Sequence, residues 1–220
     1  MFREASSAGG ATTTAMSMSS STSGAAVVET VVKLGGGVLA HAGHFDAALT
    51  AIAAAAQESR LLVVPGGGPF ADAVREMDRR LRLGNDAAHW MAVLAMDQYA
   101  HLVAARLAGS VIVVEPREIA AALGAGSKRQ LPVLAPYRWL READPLPHAW
   151  MVTSDSIAAW VAGSVGARRL VLVKPPGAAG TGLVDAYFSR ALPAHVTPVI
   201  VPADQLDALH SALRGGVEQL

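Results

Sequence analysis

The chain has 220 residues, a formal net charge of +0 and no cysteine; 52% of its residues are hydrophobic and 16% are charged. The length suffices for one well-filled core, the lack of thiols excludes disulfides, cysteine nucleophiles and thiolate-held metal centres, and the balanced charge argues against nucleic acid as a partner. No stretch approaches the roughly 18 consecutive apolar residues of a membrane span, so a compact cytoplasmic protein with no membrane partner is expected.

Residues 1–25 stand apart, nineteen of them being Ser, Thr, Gly or Ala. Such a segment buries too little apolar surface to offset its ordering entropy. A disordered low-complexity tail over 1–25 and one folded domain over 26–220 are therefore predicted. Only Phe2 and Arg3 have the character of a secretion signal, and Met16 and Met18 offer a plainer reading of the tail, a translation start expected there.

From residue 26 the pattern alternates. An apolar run Val27–Leu34 ends in Gly35, Gly36 and Gly37, and a helix follows with Phe45, Leu49, Ile52 and Ala56 on one stripe. Leu61–Val64 reads as a second strand, then Pro65 and Gly66, Gly67 and Gly68, then a helix opening at Pro69, a favoured first helical residue. A long helix is predicted over Asn85–Leu107. Further strands are predicted at Val111–Val114, Leu170–Val173 and Pro198–Val201, each followed by a helical pattern. Continuous Val/Ile/Leu runs alternating with helices predict an α/β fold, a mostly parallel sheet with helices on both faces. The stretch Gly124–Pro147, rich in Gly, Pro and basic residues, reads as an irregular excursion that separates two lobes of the sheet.

Both triple-glycine turns fall at the carboxyl ends of strands, where open parallel sheets bind their ligands. Glycine lets backbone approach a ligand closely and adopt positive φ, and N–H groups at the following helix start face an anion. The plainer reading is that tight turns need glycine. Two such turns in successive units, with Lys33 two residues before the first, point instead to two anionic groups, because an ammonium ending a buried strand is costly without an anion. No Gly-Lys dipeptide exists, so the usual P-loop is excluded. The dinucleotide fingerprint is matched only loosely by Gly35, Gly37 and Ala40, and the second strand ends in Val64-Pro65 where a ribose-binding acid is expected.

Asp72 and Arg75 share a helix face; Arg75 suits an acceptor's phosphate or carboxylate, or both are solvated surface residues. Thr153, Ser154, Asp155 and Ser156 open an apolar helix, more capping-type residues than one cap requires. Lys174 repeats the arrangement of Lys33 at the end of a later strand. A carboxylate between two such lysines orients both, and paired lysines neutralise a phosphoryl group in transfer.

The segments VVKLGGG, VVPGGGPFADAVREMD, VTSDSIAAWVAG and RRLVLVK, in that order and covering nearly all of residues 27–204, resemble the amino acid kinase superfamily. The longer stretches PGGGPFADAVREMDRR, HWMAVLAMDQYA and DPLPHAWMVTSDSIAAW resemble its branch of aminomethylfuran-methyl phosphate kinases, which act in methanofuran biosynthesis. The resemblance implies a three-layer, carbamate kinase-like sandwich that uses ATP with Mg²⁺ to phosphorylate a phosphate monoester to a diphosphate, and a homo-oligomer, most simply a dimer. By the same motifs, Lys33 and Lys174 with Asp155 would be catalytic. Gly35, Gly36, Gly37 and Ser154 would hold ATP. Gly66, Gly67 and Gly68, with Asp72 and Arg75, would hold the acceptor. No metal ligands are assigned to the protein.

Two features depart from the family pattern. The first turn lacks the usual terminal Ser, and Pro175–Gly182 carries no acid before Asp185 where the nucleotide pocket is built. The altered Pro175–Gly182 segment leaves open a non-catalytic relative that binds an anion or nucleotide, and the acceptor's charge leaves open an acyl-phosphate-forming kinase with a carboxylate acceptor. A dianionic acceptor would draw on Arg79 or Arg82 besides Arg75. His41 and His44 read as a surface pair without a third ligand. Asp97 and His101, on a stripe with Trp90 and Leu94, suit an interface or core better than the acceptor pocket. Trp139, Trp150 and Trp160 read as packing residues, and Lys128-Arg129 as a solvated loop.

Overall fold

The structure, a computed structural model, describes residues 28–124 and 129–215. The tail expected over 1–25 and Lys128 lie outside the described residues. Six strands form one sheet: β1 (Thr30–Leu34), β2 (Leu61–Pro65), β3 (Ser110–Val113), β4 (Leu131–Leu134), β5 (Arg169–Lys174) and β6 (Thr197–Pro202). Every pairing is parallel, in the order β3-β4-β2-β1-β5-β6. Among the described residues eight α-helices connect and cover them: α1 (Ala42–Glu58), α2 (Gly68–Leu81), α3 (Asn85–Arg106), α4 (Pro116–Ala122), α5 (Tyr137–Ala143), α6 (Ser154–Ser164), α7 (Phe188–Ala191) and α8 (Leu206–Arg214).

The central strands β1, β2 and β5 are buried from both sides, which is why they are almost wholly Val and Leu. On one face, Val32, Leu34, Val63 and Val171 pack with Phe45, Leu49 and Ile52 of α1 and Leu209 and Leu213 of α8. The stripe read from Phe45, Leu49 and Ile52 is thus the buried side of α1. On the other face, Val31, Leu62, Leu170 and Leu172 pack with Ile157, Ala158 and Val161 of α6 and Phe188 of α7. Alternate residues of one strand feed opposite cores, giving the expected three layers.

Residues 124–147 are not an excursion between lobes. They contain β4 and α5, and β4 lies inside the sheet between β3 and β2. The strand escapes sequence reading because it is four residues long and contains Pro132, which cannot donate to a ladder. Its bridge to β2 is correspondingly slight, Val63 opposite Val133.

On α3, Asp97 accepts a hydrogen bond from the Tyr137 backbone N–H at 3.0 Å, fastening the start of α5. Burial pushes its carboxyl up to about 6, against that hydrogen bond. An acid with a raised folded pKa costs stability when ionised, so the penalty exists above pH 6 and fades as pH falls toward 4. Asp97→Asn keeps the acceptor without the charge. The variant is expected to melt higher at pH 8 by about 1–3 kcal/mol of stability, with the gain vanishing near pH 4; thermal melts across that range check it.

Candidate active site

Strand register determines which polar side chains meet. Lys33 lies opposite Leu172, and Lys174 follows Leu172 by two residues, so both lysines emerge on the sheet face that α6 covers. They sit at the carboxyl ends of β1 and β5. From β1 the chain crosses to β2 on one side, and from β5 to β6 on the other, so a crevice opens between them.

Asp155, in the first turn of α6, descends between the two ammonium groups. Lys33 Nζ is 2.8 Å from Asp155 Oδ1; Lys174 Nζ is 2.8 Å from Oδ2 and 2.9 Å from Oδ1. Lys33, Asp155 and Lys174 are 4%, 5% and 7% exposed. Burial by itself would raise the Asp155 carboxyl, but the Lys33 and Lys174 charges outweigh it and hold the group below the usual carboxylate range. Burial and the adjacent Lys33 push Lys174 down, with Asp155 opposing them. Two cations share one directly bound anion, with Asp185 the next negative charge acting on Lys174, so the lysine–aspartate cluster itself carries one excess positive charge where little water reaches. That excess is expensive in an empty site and is offset when an anion arrives.

Asp185 holds the start of α6 in place. Its carboxylate accepts from Thr153 N (2.9 Å), Thr153 Oγ1 (2.8 Å) and Ser156 N (3.0 Å), and from the Ser156 hydroxyl. An acid at a helix N-terminus satisfies the free N–H groups and complements the dipole. The polar run therefore divides its tasks: Thr153 and Ser156 bind Asp185, Asp155 turns to the lysines, and Ser154 faces a cleft. The sequence shows the run but not its partner, which lies about thirty residues downstream and follows a loop.

The two glycine turns form one surface. A Cβ on Gly36 would stand 2.3 Å from Gly68 N, and one on Gly66 would stand 2.9 Å from Gly36 N and 3.2 Å from Ser154 Oγ. Gly68 also has φ +54, a region that side chains strain to adopt. The second turn leads straight into α2. The first does not open α1: Val38 N bonds Gly35 O and His41 N bonds Val38 O, so a 3₁₀ turn over Gly36–Ala40 intervenes and α1 begins at Ala42. The helix start expected directly after Gly37 is thus displaced. A Cβ on Gly37 would meet Pro175 at 2.9 Å, so the Pro175–Gly182 loop borders this turn, and Gly177 N donates to Asp204 Oδ1 at 3.1 Å.

A cleft of about 310 Å³ runs from Lys33 and the glycines along α3 to Arg75, His89 and Trp150. Asp72 and Arg75 form an ion pair of 2.7 Å at its mouth, with side chains 72% and 48% exposed. They are surface residues that also line the cleft. Arg75 lies 5.2 Å over the Trp150 ring, and Trp150 Nε1 donates to Asp78 Oδ2 at 2.7 Å. Trp150 is therefore a wall of the cleft and not only packing, whereas Trp139 and Trp160 do pack together, their rings 4.9 Å apart. The face of α3 turned to the cleft carries His89, Ala92, Val93 and Met96; Asp97 and His101 are absent from its lining. Arg79 pairs with Glu76 at 2.8 Å on the exposed side of α2. His41 and His44 are exposed, ring centroids 6.4 Å apart.

Residues 29–175 match the model of the amino acid kinase family. Over 117 residues the chain is 28% identical to [5-(aminomethyl)furan-3-yl]methyl phosphate kinase of Methanocaldococcus jannaschii, a match spanning 51% of this chain and 50% of that protein. Among solved structures the fold is similar to UMP kinase from Bacillus anthracis (TM-score 0.66, 12% identity, 86% of this chain and 93% of that one). Uridylate kinase from Archaeoglobus fulgidus gives TM-score 0.62 at 14% identity, over 85% and 96% of the two chains. UMP kinase from Ureaplasma parvum gives 0.61 at 14%, over 86% and 96%.

Proposed function

Because the chain belongs to the amino acid kinase family, we propose that it transfers the γ-phosphoryl group of ATP to a phosphate monoester, forming a diphosphate, and that the monoester is an aminomethylfuran-methyl phosphate. The observation that carries this reading is the buried Lys33–Asp155–Lys174 cluster, with its single excess positive charge, beside two glycine turns in contact. The acceptor identity is supported by the name of the Methanocaldococcus relative, half of whose length this chain matches.

The residues present suit such a nucleotide. Side-chain-free backbone at Gly36 and Gly37 allows close approach of the nucleotide's phosphate oxygens, and Gly67, Gly68 and the start of α2 face the acceptor's. Both Asp155 oxygens are already engaged by lysines, so Mg²⁺ would enter held mainly by the nucleotide's own phosphates and water. ATP, when bound, supplies the phosphoryl group and ADP as leaving group. Lys33 and Lys174 neutralise charge on the oxygens of the group in transfer, and Asp155 fixes both ammonium positions before it arrives, so no reorganisation is needed at the moment of reaction. A phosphate acceptor is already ionised and needs no general base. What the protein must do is align and neutralise, while Arg75 and the glycines of the second turn hold the acceptor.

Phosphorus NMR of the protein with Mg-ATP and [5-(aminomethyl)furan-3-yl]methyl phosphate tests the reading: a new diphosphate doublet and stoichiometric ADP are expected, and ATP left intact refutes it. A second reading, a carboxylate acceptor giving an acyl phosphate, is favoured by one observation: among the described residues Arg75 is the one arginine lining the cleft, and it is already paired with Asp72. Trapping of a hydroxamate from carboxylate acceptors would establish that alternative.

A further inference from the structure

The segment between α5 and α6 forms one wall of the cleft, which Ala149, Trp150, Val152 and Thr153 line. Short turns shape it: Ala149 N donates to Pro147 O at 3.1 Å and Val152 N to Ala149 O at 2.9 Å. Side chains fasten it to other parts of the molecule. Thr153 Oγ1 donates to Asp185 at 2.8 Å, Trp150 Nε1 to Asp78 of α2 at 2.7 Å, and His148 Nδ1 to Asp86 of α3 at 2.5 Å. A hydroxyl and an indole N–H keep their protons near neutral pH. An imidazolium does not, so the tether to α3 is the one that pH can loosen.

His148 is committed on both sides. Its Nε2 donates to Asp144 Oδ1, just past the end of α5, at 2.8 Å. Only an imidazolium donates from both nitrogens; a neutral ring keeps one bond and turns a lone pair on the other acid. The ring is mostly enclosed, stacked on His89 at 4.1 Å between centroids and meeting Trp90 edge-on at 5.0 Å. The titratable and charged groups facing it are Asp86 and His89 from α3, and Asp144 and Arg141 from the α5 side, Arg141 lying 4.7 Å over Trp90. The hydrogen bonds to Asp86 and Asp144 outweigh burial and hold the His148 pKa above its ordinary value. Burial and the neighbouring His148 bring His89 down to about 4, so His89 stays neutral where His148 titrates.

We propose that His148 is a positioning residue for acceptor binding: as an imidazolium it holds residues 144–153 against α3 and keeps the Trp150 wall of the cleft in place. This rests on the reading of the cleft as the acceptor site. A group whose pKa is raised in the folded protein contributes while protonated, and the contribution is lost as pH rises through the folded value. Above that value one proton leaves His148 for water, one of its two hydrogen bonds goes with it, and the wall loosens. The phosphoryl transfer itself makes no use of this proton.

Two measurements on the same proteins test this. In NMR titration of the histidine ring carbons, with the His148 signal identified by its loss in His148→Gln, the midpoint should lie above about 6.5. Asp86→Asn should lower it; Asp86 is 85% exposed, so that variant keeps the fold. In steady-state assays with Mg-ATP and [5-(aminomethyl)furan-3-yl]methyl phosphate, the acceptor KM should rise about three- to fivefold as pH passes the midpoint, the scale of a partly exposed charge pair. The kcat should change less. The acceptor's phosphate titrates too, but equally for every protein, so the deciding result is the KM inflection moving to lower pH in Asp86→Asn along with the NMR midpoint. An inflection that stays in place, or a His148 midpoint at or below about 6.5, overturns the inference and leaves the kinase reading standing. Absence of turnover by wild type refutes the kinase reading instead. Amide exchange in the ligand-free protein then decides the tether: protection of the Val152 N–H, corrected for its intrinsic rate, should drop above the His148 midpoint, and constant protection overturns the inference.

Discussion

Replacing Asp155 by Ala is expected to lower the unfolding free energy by about 3–5 kcal/mol at neutral pH, the scale of a broken buried ion pair. The variant leaves two ammonium groups 4% and 7% exposed with no anion between them. Chemical denaturation of wild type and variant across pH checks both size and sign. Asp155 has a depressed folded pKa, so its contribution is present above the ordinary carboxylate pKa and is lost as pH falls through the folded value. The difference between the proteins should therefore close in acid. It should also shrink in alkali, because lysines without a counter-ion shed their protons and the variant's penalty goes with them. A difference under about 1 kcal/mol at pH 7 would mean that water or an anion already compensates the cluster.

Lys33→Met should have the opposite profile. Removing one of two ammonium groups leaves Lys174 and Asp155 as a neutral pair, and Met matches the length of the lysine stem in a strand where Leu172 is the neighbour in register, so the fold should melt within a few degrees of wild type. Turnover should fall by about 10²–10³-fold or more, the range seen on deleting one preorganised donor to a developing charge. Steady-state assay of ADP release with the phosphate monoester measures it, and a kcat within threefold of wild type would remove Lys33 from the chemistry. The contrast is the informative part: on the proposed function the carboxylate would support both stability and activity, the first lysine activity alone. Binding of Mg-ATP, read as a rise in melting temperature, should weaken in Lys33→Met because one charge facing the phosphates is gone.

The apolar runs and the glycine turns were legible because their causes are local. A strand buried on both faces must be mostly Val and Leu, a helix against a sheet must repeat its apolar residues every three or four positions, and a backbone that closely approaches another backbone at a turn must be glycine. The α/β class, the limits of α3 within a residue and the position of both lysines follow from such local demands. That such lysines need an anion is likewise local, since charges at the ends of buried strands need partners; that Asp155 is that anion was implied by the family resemblance. β4 was not legible, because a four-residue strand interrupted by Pro132 is recognisable only once β2 and β3 are in place beside it.

What only the tertiary structure decided is where the chain's distant pieces converge. Asp185 lies in a segment whose composition marks it as loop, yet its carboxylate organises the start of α6 and so aims Asp155. His89 and His148 are fifty-nine residues apart, in two separate stretches of the chain; stacking places them together, and Asp86 of α3 and Asp144, four residues before His148, hold the imidazole of His148 between them. Trp150 changes from a packing residue to a cleft wall for the same reason. A side chain's periodicity records whether it is buried, which is a property of its own element. Its partner, its charge state and the ligand it faces depend on neighbours brought by other elements, and no spacing along the chain encodes those.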